Sequence, residues 1–369
     1  MIKMNTEKSE IVINELIIRS VDRSKKDIAT WRNALVSAES VYFPNRSRLY
    51  DIYDDITLDG HLHGVIAKRI DAVLNKDICF LNDSGPSKVI NRLTDSLPFR
   101  NIMRTIMETR LWGISGIEFL PGKTLEYKLI PRKHIKPEQG IISYEQNGND
   151  GVPFAGLENV WIMGESKDLG LLLKCAPYIL YKRGGMADWS QYIELFGQPV
   201  RIIKYDSYDE QTKQELRKIL EESGSSLSMM IPRQADFEMK DGKQNNGDGN
   251  LQLTFIKALN EEISIVVLGN TETTTSSYSA GYAQSKVHLE QQLEITKSDL
   301  SYTVAMLNDP KFISILRSYG YPVDGGKFVF KKDADIEYLK ARIEIDKEVN
   351  KMVPISENYW YETYGITKI

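Results

Sequence analysis

The chain has 369 residues, enough for two or three domains and at least one sizeable core. Hydrophobic residues make up 41% and charged residues 27%, which excludes a wholly disordered chain. The formal charge of −4 argues against a nucleic-acid coat that works by displacing counterions.

The first 45 or so residues are polar and mixed, with a basic cluster at Arg19, Arg23, Lys25, Lys26 and Arg32, and read as a solvated or partner-bound arm. Charges break up its apolar residues, so it is no signal peptide, and a cytosolic place of synthesis is expected. From Ile52 the pattern is regular. Asp59 is placed to cap a helix carrying Leu62, Ile66, Ile70 and Val73–Leu74. A strand Asp77–Leu81 follows. Pro98 opens a helix with Ile102, Ile106 and Leu111 on one face. Gly113–Leu120, Thr124–Ile130 and Val160–Met163 read as strands. This first part is α+β.

Cys175, Ile179, Lys182, Met186, Trp189, Ile193 and Phe196 then fall at alternating steps of four and three. That is a long amphipathic helix, starting near Pro177 and ending at Gly197, with Lys182 alone breaking the stripe. Gly184–Gly185 in its middle marks a bend or a close packing contact. A compact α/β unit follows: strand Val200–Tyr205, a helix capped by Asp209 and bearing Leu216 and Ile219–Leu220, and short strands Leu227–Ile231 and Asp236–Met239. A second helix runs from about Leu253 to Leu268. Ten of the thirteen residues Gly269–Gly281 are Thr, Ser, Gly or Asn, an irregular polar loop between two long helices. The helix after it carries a narrow stripe of Leu289, Leu293, Thr296, Leu300, Thr303 and Leu307. Strand Lys327–Phe330, a charged helix Asp333–Met352 and an aromatic tail Tyr359–Tyr364 complete the pattern. The longest apolar run, Ile263–Leu268, is far below the roughly 20 residues of a membrane span, so no membrane is expected.

Few residues suggest chemistry. Cys79 and Cys175 are too far apart for a metal or redox motif and read as buried thiols in a reducing compartment. Asp54, Asp55 and Asp59 with His61 or His63 resemble metal ligands, the basis of a rival reading as a metal-dependent nuclease. His61 and His63, however, lie about 200° apart on a helix, so one ion cannot take both. Asp241–Gln252 imitates a calcium loop but has Asn246 at the turn and Gln252 at the bidentate position. There is no phosphate loop, and Gly113-Ile114-Ser115-Gly116 falls short of a nucleophile elbow. No cofactor is expected. Trp189, Tyr192 and Phe196 form a packing face at helical spacing, which leaves a non-enzymatic scaffold as a third reading.

Several separate segments resemble the Mu-like phage portal proteins. The strongest is Ala187-Asp188-Trp189-Ser190-Gln191-Tyr192-Ile193-Glu194-Leu195-Phe196-Gly197-Gln198-Pro199-Val200-Arg201, in which Asp188, Trp189, Glu194, Phe196, Gly197 and Pro199 carry the family signature. Met229–Pro232, Ile263–Gly269, Thr273–Thr274, Ala283–His288, Leu339–Lys347 and Ile355–Ile366 follow in family order. The resemblance spans residues 50–369.

It implies an α+β, phage portal-like fold with long stem helices, a small α/β clip and an outer α+β wing, and no enzymatic activity. The expected parts are an arm and wing (1–170), a stem helix (171–197), the clip (198–240), a connector and second stem helix (241–268), a tunnel loop (269–281), a long helix (282–308) and a C-terminal wing or crown (309–369). The expected assembly is a homo-oligomeric ring, usually a dodecamer, at one capsid vertex of a virion or prophage particle. Its implied partners are the terminase large subunit, head-tail adaptor and capsid proteins, and double-stranded DNA threaded without sequence preference. On that reading Thr271, Glu272, Thr273, Thr274, Thr275, Ser276, Ser277 and Tyr278 line the channel. Asp209, Lys213, Arg217, Glu221 and Glu222 of the clip meet partner proteins.

Overall fold

The computed structural model describes residues 12–22, 26–83, 85–196, 201–205, 211, 214, 217–218, 228–232, 251–271, 282–331 and 336–364. Strand Ile114–Phe119 is the centre of the body, buried at every position, and pairs antiparallel with Tyr127–Ile130 on one side and Val160–Gly164 on the other. A second antiparallel sheet joins Ile78–Asn82 to Gly326–Phe330, two segments distant in sequence, with Phe80 opposite Phe328. A third sheet is Ile135–Lys136, Ile141–Ser143 and Gly151–Pro153. Phe312, on helix Pro310–Ser318, ties the first two sheets together: it stacks on Trp161 at 4.7 Å and lies 6.1 Å from Phe119 and 6.3 Å from Phe328. Such aromatic pairs each add up to about 1.5 kcal/mol beyond the area they bury.

Local signals place the surrounding helices. Asp59 caps Gly60–Leu74 by accepting from the Leu62 amide. Ser96 caps Leu97–Trp112, with Pro98 in its first turn where a missing N–H costs nothing. Strands begin or end within a few residues of expectation, at Ile78, Ile114, Tyr127 and Gly326.

Part of the expected N-terminal arm is docked on the body. Glu118, fully buried, accepts from the amides of Val12 at 2.7 Å and Ile13 at 2.9 Å. A buried carboxylate demands such donors, and a short 3-10 helix, Val12–Glu15, supplies them. Of the basic cluster, Lys26 pairs with Asp22 at 2.6 Å, Arg32 is exposed, and Arg23 and Lys25 lie outside the described residues.

Helix Leu172–Phe196 begins five residues before Pro177. The proline costs the Leu173 carbonyl its helical partner. Burying Leu172, Cys175, Ala176 and Ile179 completely outweighs that loss. Its root is a backbone weld. Gly113, Gly164 and Gly170 all have positive φ, and a Cβ on each would lie 2.3, 2.2 and 2.2 Å from a neighbouring backbone oxygen. Arg46 pins the same connection by donating to the carbonyls of Ser166 and Asp168. The helix then runs unbroken through Gly184–Gly185 and packs along helix Leu251–Leu268.

The segment expected as a clip shows its strand pair. Arg201–Tyr205 and Ser228–Pro232 are parallel, with Ser228 opposite Arg201. Parallel neighbours need a crossover, and positions 211, 214, 217 and 218 between them are helical. The expected strand at Asp236–Met239 and the calcium-like stretch 241–250 lie outside the described residues.

Candidate functional site

The two packed helices keep one end closed and leave the other open. On Leu172–Phe196 the stripe residues Cys175 and Ile179 are fully buried, whereas Met186 is 50% and Ile193 is 51% exposed. Burial pushes the Cys175 thiol up to about 12, which keeps it protonated and inert. On Leu251–Leu268, Leu259, Ile263 and Val267 are buried, while Phe255 and Ile265 stand 44% and 46% exposed. Gly185 is the close contact between them: the Phe255 ring would lie 3.2 Å from a Cβ there.

Lys182, the break in the stripe, is buried and pairs with Asp59 at 2.8 Å. Burial alone would raise the Asp59 carboxyl. Hydrogen bonds from Lys182 and the Leu62 amide outweigh it and hold the group below the usual carboxylate value. Arg183 pairs with Asp55. His61 donates from Nε2 to the Asn260 carbonyl at 2.8 Å, with Ser264 Oγ at 2.9 Å. Burial lowers its pKa, and the nearby Lys182 adds to that. His63 is exposed on another face of the helix. The acidic cluster therefore locks the long helix to the body. Two of its carboxylates are engaged by cations, and among the described residues no three His, Cys, Asp or Glu side chains group as a metal site. Asp55 and Asp59, two of the carboxylates on which the nuclease reading relies, are thus held in ion pairs. Ser115 of the failed nucleophile elbow is buried in its strand beside Arg132.

The root of the Thr/Ser loop is a tightly held polar centre. Gly269, φ +75°, ends helix Leu251–Leu268, and its amide donates to Ile265. A Cβ there would meet Ile295 of helix Tyr282–Leu307 at 2.5 Å. Asn270 is buried and Thr271 half-buried. Arg69 grips both sides of the root. Its Nε and Nη2 donate to the two oxygens of Asp299 at 2.8 and 3.0 Å, and its Nη1 donates to the Val267 carbonyl at 2.7 Å. Arg110 pairs with the same carboxylate at 2.8 Å. Asp299 is fully buried, so both cations are needed to offset its desolvation. Sequence reasoning missed this clamp. A signal was present: Arg69 sits seven residues after Leu62 and four after Val65, at apolar spacing. Glu272, Thr273, Thr274, Thr275, Ser276, Ser277 and Tyr278 lie outside the described residues.

Of the expected partner surface, Arg217 is exposed in a helical position, and Asp209, Lys213, Glu221 and Glu222 lie outside the described residues. Asp188 and Glu194 are exposed and Trp189 half-buried, all on Leu172–Phe196. The Phe196 side chain, Gly197 and Pro199 lie outside. Among the described residues no helix is long and apolar enough to cross a membrane.

The neck of a native gene transfer agent (GTA) particle, computed with C12 symmetry, matches 93% of this chain and 100% of its own at a TM-score of 0.56 and 12% identity. A chain from the virion of the native GTA particle matches over the same shares at 0.55 and 11%. At such identities the likeness is one of fold. The Mu-like prophage FluMu protein gp29 of Haemophilus influenzae (strain ATCC 51907 / DSM 11121 / KW20 / Rd) is 26% identical over 208 residues, 52% of this chain and 39% of that relative. The chain thus matches less than two thirds of that relative's length. The family model described as "Portal protein of Mu bacteriophage" matches residues 50–366, so this chain, with its α+β body and open-sided helix pair, belongs to the Mu bacteriophage portal protein family.

Proposed function

We propose that this protein forms the portal ring at one capsid vertex, the channel through which double-stranded DNA is packaged and ejected, without enzymatic activity of its own. The observation that carries the reading is the family match over residues 50–366. The fold shared with a neck of C12 symmetry supports a dodecameric ring. In that ring residues 171–197 and 253–268 are the stem helices, the second preceded by a connector from 241, with 198–240 the clip, 269–281 the tunnel loop, 282–308 the long helix, and wing and crown in 1–170 and 309–369. The exposed Met186, Ile193 and Phe255 suit contact with neighbouring copies. The −4 charge, repeated around the ring, repels the duplex and lowers friction as it slides. The clip is the docking surface for the terminase large subunit and, later, head-tail adaptors; the wing meets capsid proteins. The protein acts in the virion after assembly in the host cytoplasm.

The loop gives the sharpest test. Its hydroxyls and amides would hold phosphate and sugar without sequence preference, while Glu272 keeps the grip weak. Deleting Thr273–Ser277 removes no described core residue. The expected outcome is unchanged folding and ring assembly with impaired retention of full-length genome, measured as DNA content per particle. Normal packaging and retention in the deletion variant would refute the valve role. Absence of rings by negative-stain imaging of the parent protein would refute the portal reading itself.

A further inference from the structure

Most apolar side chains of the body are covered by their own chain, but those of one held turn stand out in the open. Between helices Ile28–Ala38 and Ser47–Ile56, Val41 is 88%, Tyr42 85% and Phe43 69% exposed. Val36, on the preceding helix, is 70% exposed. The turn is not a loose excursion. The Phe43 amide donates to Ser40 Oγ at 3.3 Å, the Asn45 amide to the Ser37 carbonyl at 2.9 Å, and Asn45 Nδ2 to Asn147 Oδ1 at 3.3 Å. A contiguous apolar knob with two aromatics, fixed at its base, is the composition of an interface centre. Three exposed charges flank it, two of them basic: Arg32 shares a helix face with Val36, Arg48 follows five residues after Phe43, and Glu39 lies two residues before Val41.

Elsewhere on the body lies a groove of about 980 Å³, between the 3-10 helix Val12–Glu15, the turn at Leu120–Gly122, segment 156–159 and helix Pro310–Ser318. Leu120, Pro121, Leu157 and Ile315 line it, and the exposed Glu15 and Glu158 give it an acidic rim. Its walls are held. Lys311 donates to the Leu157 carbonyl at 2.6 Å, and the Tyr319 hydroxyl donates to the Leu120 carbonyl.

We propose that the Val41–Phe43 knob of one copy seats in this groove of the next copy. A closed ring needs two different faces that recognise each other, and an apolar knob flanked by two arginines and one glutamate, opposite a mixed polar and apolar groove with two carboxylates on its rim, meets that need in charge. The proposal rests on the ring reading above and adds to it the surfaces that meet.

The test uses the full chain assembled into rings, with Phe43→Cys and Ser314→Cys introduced singly and together. Ser314 is an exposed groove residue, and the native Cys79 and Cys175 are buried, so background oxidation is low. Mild oxidation of the double variant should give a ladder of disulfide-linked multimers on a non-reducing gel, and neither single variant should. In a second measurement Glu158→Arg should raise the concentration needed for ring formation about tenfold, and adding Arg48→Glu should restore it to within about threefold. Rings without the ladder, dimers from Phe43→Cys alone, or a crosslink from position 43 only to another virion protein would overturn the knob-and-groove contact while leaving the ring reading intact. A parent protein that stays monomeric at every concentration would overturn both.

Discussion

The α+β body and the long helix pair bury apolar surface in different ways. In the body, strand Ile114–Phe119 is covered on both faces and a chain of aromatic contacts through Phe312 closes the space between two sheets. In the helix pair the same kind of apolar stripe begins buried and ends in the open, from fully covered Cys175 and Ile179 to half-exposed Met186 and Ile193. The central sheet of the body is closed by its own chain, the turn at Val41–Phe43 standing outside it, whereas the far half of the helices leaves its apolar stripe open. Charge follows the same division, since the paired cations and carboxylates that lock the helices lie where they meet the body.

Breaking the lock should have the largest effect. Asp299→Ala strands Arg69, itself buried, beside the loop root, and should cost about 3–5 kcal/mol in chemical denaturation. Asp59→Ala removes a helix cap and leaves Lys182 buried and unpaired, for a loss of about 3 kcal/mol. Asp59 also fixes a pH response. Its folded pKa lies below the unfolded 3.8, so its stabilisation is complete above that value and fades as pH falls through the folded one. The parent should therefore lose stability below about pH 4 more steeply than Asp59→Ala, as thermal melts across that range would show.

Within the helix pair the two glycines should separate. A Cβ on Gly184 meets nothing within 4 Å, so Gly184→Ala should raise stability by about 0.5–1 kcal/mol through helix propensity alone. Gly185→Leu, pressed against Phe255, should instead lower it. The smallest stability effects belong to the open half. Met186→Ser and Ile193→Ser should change monomer unfolding by less than about 0.5 kcal/mol yet raise the concentration needed for assembly, read by mass photometry. A large loss of monomer stability there would erase the distinction between closed central sheet and open helices.

Periodicity and capping chemistry made much of this legible. The stripe 175–196, the cap at Asp59 and the helix start around Pro98 are local patterns, and local patterns survive folding. What stayed hidden was pairing across long sequence distances. Lys182 stood out as a break in a stripe, but nothing near it named Asp59 as its partner. The clamp joins Arg69 to Asp299 across 230 positions. The start at Leu172 rather than Pro177 was hidden for the same reason: tertiary burial overrode a local penalty. The docking of Val12 and Ile13 depended on a carboxylate at position 118, which an N-terminal pattern cannot display.

The weld of Gly113, Gly164 and Gly170 bears on how load would travel. Hinges need backbone room, and here each backbone already touches the next, with no Cβ-sized gap left to close. The helix that starts at Leu172 is therefore cantilevered from the sheet rather than hung from it. A thrust applied at its far end passes into the body as torque, and the compliance that elsewhere sits at a helix root has to come from the exposed end or from the contacts that neighbouring copies make with it.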